Sequence, residues 1–200
     1  MLPAMNPWAL LLATSGYLLG SVSFAVLVVR LKTGKDIRLV GSGNAGATNV
    51  LRAHGKALGL LVAFLDAAKG AAAVILVRLV TSDPRAAALA ALAAILGHVF
   101  PIFYGFRGGK GVATAIGAFL VLAPAATLVS AGVFAAVVAI TRYVSLGSMI
   151  GMTVLPAVAG LFHAPLAVVG AAAGAAVLIV FKHLENLKRL VRGEERRIGR

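Results

Sequence analysis

From Gly111 to Thr141 the sequence runs for thirty-one residues without an Asp, Glu, Lys or Arg. As one helix this stretch would be about 46 Å long. The hydrocarbon core of a bilayer is only about 30 Å thick, and Pro124 interrupts the run near its middle. Two apolar helices fit the stretch better than one. A second uncharged run, Tyr143 to Phe181, is broken at His163–Pro165 and divides in the same way. With 60% of its residues hydrophobic, the chain carries more apolar surface than a water-soluble domain can bury. The expected class is all-α, a polytopic membrane bundle forming a single domain over residues 1–200.

Charge sets the number of crossings. Beyond the two uncharged runs, apolar segments cover about Pro7 to Val29, Ala57 to Val77 and Ala86 to Tyr104. The first lacks a basic leader region and reads as a span rather than a cleaved signal. Basic residues gather in the loop 30–56, at Arg107 and Lys110, at Arg142 and in the tail from Lys182. Basic loops mark the cytoplasmic side. Placing all four clusters there requires seven crossings, with the N-terminus outside and the C-terminus cytoplasmic. The fourth crossing is then short. Sixteen of the 19 basic residues face the cytoplasm, Arg78 and Arg85 lie outside, and Lys69 falls within a span. The spans are rich in Gly and Ala, so close helix packing is expected.

Composition also excludes chemistries. A net charge of +13 can mark a nucleic-acid binder, but membrane topology accounts for it here and no nucleic-acid partner is expected. The absence of cysteine removes disulfides, thiolate nucleophiles and Cys-ligated metals. Neither a metal nor a cofactor is expected.

Three polar stretches interrupt the apolar pattern, and all fall on the cytoplasmic side. In "GSGNAGATN", Gly41, Gly43 and Gly46 allow close backbone approach, Ser42, Asn44, Thr48 and Asn49 are neutral donors, and Arg52 can clamp an oxyanion. In "FRGGKGVATA", Gly108, Gly109 and Gly111 free backbone N–H groups, Lys110 adds charge, and a following helix start adds partial positive charge. This is not a nucleotide phosphate loop. Tyr104 stands where its first glycine belongs, and Gly111 stands where Ser or Thr would hold magnesium. In "KHLENLKRL", read as one continuous helix, His183, Asn186, Leu187 and Leu190 share the buried face, while Glu185, Lys188, Arg189 and Arg192 point outward. The stretches together describe a pocket with two anion sites and one imidazole. Asp66 and Lys69, three residues apart inside a span, should be ion-paired. His98 should make a helix-packing hydrogen bond, at the pocket floor.

These stretches resemble the bacterial membrane-bound glycerol-3-phosphate acyltransferases that use acyl phosphate as donor. Ser42, Gly43, Asn44, Gly46 and Asn49 match the first family motif, and Gly108 to Thr114 match the second. His183, Asn186, Arg189, Leu190, Gly193 and Glu195 match the third. The resemblance covers the whole chain. It implies transfer of an acyl group from acyl phosphate to the sn-1 hydroxyl of glycerol 3-phosphate, giving 1-acylglycerol 3-phosphate (lysophosphatidic acid) and phosphate, the first step of phospholipid synthesis. Ser42, Lys110, His183 and Asn186 become the expected catalytic residues. Gly43, Asn44, Gly46, Asn49, Arg52, Gly108, Gly109, Gly111 and Thr114 become the expected substrate-binding residues. The base is His183 or a substrate phosphate. Partners are the two substrates and membrane lipids, and the location is the bacterial inner membrane with the site facing the cytoplasm. The His-x4-Asp signature of the soluble-type acyltransferases is absent, since Gly59, Phe103, Val168 and Lys188 occupy the acid's place after the four histidines. The competing reading is a phosphate or organophosphate transporter, which would place its site near the midplane.

Overall fold

The structure, a computed structural model, describes residues 8–199, and the described residues are helical or in turns and loops. The expected start of the first span at Pro7 lies outside them. The chain divides into two compact units, one up to Leu122 and one from Ala123.

The first unit holds α1 (Trp8–Gly20), α2 (Phe24–Thr33), α3 (Ala47–His54), α4 (Lys56–Val80), α5 (Pro84–Val99) and α6 (Val112–Leu122). Helix α1 packs on α5, and α4 packs on both α5 and α6. Lipid tails are as apolar as the helices, so helices associate by close fit rather than by escape from water. Small residues supply the fit. A Cβ on Gly70 would strike the carbonyl of Thr114, and one on Gly117 would strike that of Ala67. The first apolar segment is not one helix: α1 ends at Gly20 and α2 restarts after Ser23. The break exposes backbone groups, and Lys69 Nζ on α4 donates to the Val22 carbonyl there at 2.6 Å. At the far end of α4, Arg78 caps the end of α6 by donating to the Val121 carbonyl at 2.8 Å.

The second unit holds α7 (Pro124–Thr141), α8 (Val144–Leu161), α9 (Leu166–Lys182) and α10 (Leu184–Val191). Helix α8 packs between α7 and α9. A Cβ on Gly147 would lie 2.9 Å from the Phe134 carbonyl of α7, again a small-residue seam.

Each expected apolar segment contains helix. Among the described residues, five stretches can cross a membrane by length and apolar character, or up to six if α9 and α10 form one bent span. The expected count was seven. The short fourth element is α6, whose 11 residues reach only about 16 Å. Burial differs between helices: 61% of the best 18-residue window of the α5 stretch is buried, against 17% for α7.

Candidate active site

The first polar loop is built from a capped turn inward. Asp36 accepts from the Arg38 N–H and opens a 3-10 turn over Ile37–Leu39. The Arg38 guanidinium also pairs with the Asp36 carboxylate at 2.7 Å, and that hydrogen bond holds the carboxyl below its ordinary value. Arg38 then donates to the Tyr104 carbonyl at 2.8 Å and stacks over the Tyr104 ring. It thereby links the first polar loop to the second. Beneath the turn, Ile37, Ala45, Val50 and Val62 form a fully buried apolar plug.

Asn49 organises this loop. Its Nδ2 donates to the carbonyls of Val40 and Asn44 at 2.9 and 3.1 Å, with Ile37 at 3.3 Å, and its Oδ1 accepts from the Ser42 N–H at 3.0 Å. The amide is spent on backbone. Gly41 has φ +65°, and its missing Cβ would collide with Asn49 Oδ1. Glycine is required there twice over, for its conformation and for the approach. Held this way, Ser42 and Gly43 stand exposed and Asn44 and Gly46 half-buried at the start of α3, with Arg52 on the same short helix.

The second loop follows α5. Gly109 N–H donates back to the His98 carbonyl at 3.1 Å. A Cβ on Gly109 would strike His98 Nε2 and lie 2.9 Å from the Ala45 carbonyl. Gly109 is therefore the point where the two loops meet. Lys110 follows it, half-buried. Gly111 has φ +89°, and α6 begins at Val112. The first N–H groups of a helix lack intrahelical acceptors and carry partial positive charge. Thr114, in this first turn, is fully buried. The two loops that carry eleven of the expected site residues, Ser42 to Arg52 and Gly108 to Thr114, thus meet at a seam formed by Gly109 and Ala45.

Under the seam lies a buried trio. Asp66 Oδ1 is 2.9 Å from Lys69 Nζ, so the expected intramembrane ion pair is present. His98 Nδ1 lies 3.4 Å from the same oxygen.

His183 and Asn186 belong to the second unit and are buried, as expected. The continuous helix used to place them is not found. The chain bends by 55° between α9 and α10, with His183 at the junction and its Nδ1 2.8 Å from the Ile179 carbonyl. Leu187 is consequently exposed rather than buried. Arg189 is not simply outward either: its Nε donates to Glu195 Oε2 at 2.8 Å. Glu195 is the residue whose importance the helical reading missed. Buried, it accepts from Ser145 at 2.9 Å, Asn186 at 2.7 Å and Arg189. Burial alone would raise its carboxyl, but these hydrogen bonds outweigh it and hold it below its ordinary value. The sequence marks Glu195 only as a position of the third motif, and the further signal for its role is an acid within a strongly basic tail.

An all-helical membrane protein with interlocked glycine loops beside a lysine and a helix N-terminus is thereby defined. Its sequence matches the family described as glycerol-3-phosphate acyltransferase over residues 10–193. The chain belongs to the glycerol-3-phosphate acyltransferase family. It is 48% identical over 198 residues to the glycerol-3-phosphate acyltransferase of Anaeromyxobacter sp. (strain Fw109-5), covering 94% of this chain and 96% of that one. With the enzyme of Jannaschia sp. (strain CCS1) it shares 45% identity over 203 residues, covering 100% and 99%. Among solved structures it is similar to PlsY (YgiH), an integral membrane glycerol 3-phosphate acyltransferase. For the glycerol 3-phosphate form the TM-score is 0.90 with 42% identity over 96% of both chains. For the lysophosphatidic acid form it is 0.87 with 40% identity, covering 96% of this chain and 95% of that one.

Proposed function

We propose that this chain, acting as one domain over residues 1–200, transfers an acyl group from acyl phosphate to the sn-1 hydroxyl of glycerol 3-phosphate. The products are 1-acylglycerol 3-phosphate and inorganic phosphate. The observation that carries this reading is the meeting of the two loops at Gly109 and Ala45. It gathers backbone donors, Lys110 and the α6 N-terminus in one place, and both substrates bear phosphates.

The hydroxyl oxygen of glycerol 3-phosphate attacks the acyl carbon, the bond to the phosphate oxygen breaks, and the phosphate leaves with the electron pair. The hydroxyl proton goes to His183 or to a phosphate oxygen, whose second pKa near 6 suits it at neutral pH. Because the leaving group is already good, the protein's work is positioning and charge stabilisation. Lys110 with the Gly108–Gly109 backbone and Gly111 holds the departing phosphate, and Thr114, fully buried against Gly70, fixes the first turn of α6. Ser42, Gly43, Asn44, Gly46 and Arg52 hold glycerol 3-phosphate, and Asn49 keeps that loop in shape. Asn186 orients the attacking hydroxyl. The chain crosses the inner membrane seven times with the site on the cytoplasmic side, where glycerol 3-phosphate is met, and the acylated product leaves sideways into the bilayer.

The test is phosphate release by the purified protein with a long-chain acyl phosphate and glycerol 3-phosphate. Lys110→Ala should lose about 100- to 1000-fold in kcat, the usual cost of one transition-state donor. A kcat within about threefold of wild type, only ~0.65 kcal/mol, would remove Lys110 from the mechanism. Ser42→Ala should also be crippled, yet rapidly quenched wild-type turnover should show no acyl-serine by mass spectrometry. A stoichiometric adduct on Ser42 would replace direct transfer by a covalent route.

A further inference from the structure

We propose that Asp66 and His98 are positioning residues for acyl transfer, fixing Gly109 and through it Lys110. The inference rests on the reading of the Gly108–Gly111 loop given above.

His98 touches that loop in two independent ways. Its backbone carbonyl accepts from the Gly109 N–H at 3.1 Å. Its ring edge at Nε2 and Cε1 lies against the Gly109 Cα, on the face where any other residue would carry a Cβ. The opposite ring edge, Nδ1, is 3.4 Å from Asp66 Oδ1. The ring thus bridges a carboxylate in the middle of α4 and the peptide that precedes Lys110. Both side chains are buried, at 1% and 6% relative exposure.

The carboxylate is itself immobilised. Lys69 Nζ holds Asp66 at 2.9 Å and donates to Val22 at the break between α1 and α2. One buried cation therefore ties the interrupted first segment to Asp66, Asp66 to the imidazole, and the imidazole to the loop. Burying a charged pair inside a membrane segment is expensive. A packing role alone needs no such pair, because apolar residues of similar volume would fill the space at least as well. What apolar residues cannot do is fix the rotation of an imidazole. A ring free to turn about its Cα–Cβ and Cβ–Cγ bonds would not define where Gly109 sits. Displacement of a reacting group by about 1 Å can cost about 100-fold in rate.

The experiment compares folded, full-length variants by kcat and KM. The double variant Asp66→Leu/Lys69→Leu removes both charges together and leaves neither orphaned in the membrane. It should remain folded, with its thermal midpoint lowered by the loss of the Lys69 bond to the Val22 carbonyl, yet lose about 10- to 100-fold in kcat, while KM for glycerol 3-phosphate stays within about threefold. His98→Leu should behave alike. Asp66→Asn/Lys69→Leu, which keeps the His98 ring against Gly109 and an oxygen facing its Nδ1 without burying a charge, should recover most of the loss seen in the double Leu variant. That rescue separates positioning from packing, because Leu at position 66 fills the space at least as well as Asn and both double variants lack Lys69. The inference is overturned if Asp66→Leu/Lys69→Leu or His98→Leu keeps kcat within threefold of wild type. It is equally overturned if Asp66→Asn/Lys69→Leu is as impaired as Asp66→Leu/Lys69→Leu, or if the losses merely follow a fall in folded protein. Lys110→Ala, run in parallel, separates the two levels. A crippled Lys110→Ala beside active Asp66 and His98 variants sinks this inference alone. An unimpaired Lys110→Ala sinks the reading of the loop beneath it.

Discussion

The loop around Gly41–Val50 and the tail around Glu195 are each organised by one buried side chain, but of opposite character. Asn49 is neutral and spends its amide on four backbone groups. Glu195 is charged and gathers three side chains, Ser145, Asn186 and Arg189. A neutral amide adds no negative charge to a loop suited to a phosphate, and its bonds do not respond to pH. A carboxylate can balance the cationic Arg189, and it makes the stronger, charge-assisted bonds. Its grip, however, depends on remaining ionised. The backbone of the first region and the side chains of the second should therefore fail under different stresses.

The largest effect is expected where the first region meets the second loop. Gly109→Ala drives a methyl group into His98 and the Ala45 carbonyl, and the backbone has to move. Loss of at least about 100-fold in kcat should follow; an active Gly109→Ala enzyme would show that the seam is looser than drawn. Next comes Asn49→Ala. It strips partners from the Ser42 N–H and from the three carbonyls it holds, and should destabilise the protein by about 4 kcal/mol, taking each hydrogen bond at about 1 kcal/mol. That loss should be the same at pH 7 and pH 5, measured as the thermal midpoint in detergent.

Glu195→Gln sharpens the contrast. Only the charge-assisted share is lost, about 1–2 kcal/mol at neutral pH. The folded carboxyl titrates below its ordinary value of 4.5. Its contribution is thus complete above that value and disappears as pH falls through the lower folded value. Wild type should lose stability on acidification below about pH 4.5 more steeply than Glu195→Gln, whereas Asn49→Ala should keep the wild-type slope. Parallel acid slopes for wild type and Glu195→Gln would refute the carboxylate's part. The smallest effect belongs to Arg197→Ala. Arg197 is exposed and stacks on Tyr143 at 5.1 Å, and its loss should change stability by less than about 0.5–1 kcal/mol.

The features legible in sequence were those fixed by period and charge: the apolar segments, the short α6, the Asp66–Lys69 pair and the membership of each glycine loop. The two misread features depend on distant partners. The break after Gly20 lacks a proline, and Gly20 instead rests against Ala94 of α5 so closely that a Cβ would strike its carbonyl. The bend at His183 also follows no breaker residue, so a helical wheel ran straight through it. Beyond α10 the left-handed Gly193, φ +70°, turns the chain back and delivers Glu195 to Asn186 and Arg189. Spacing along a helix cannot anticipate a contact made after the helix has ended. The Asn49 bonds were hidden for a related reason, since a motif asparagine can as well serve a ligand as its own loop.

The uneven burial of α5 and α7 carries a consequence for how this sequence can drift. Where most of a helix is enclosed by neighbours, as in α5, each side chain has a fixed allowance of volume, and a run such as Ala86–Ala88 cannot grow. Most of α7 is left uncovered by neighbouring helices, and fluid hydrocarbon chains against such a face would rearrange around Leu, Ile, Val or Phe alike. A saturation survey of substitutions should find α7 permissive to any large apolar residue and closed to charge. In α5 the same apolar replacements should be rejected on size alone.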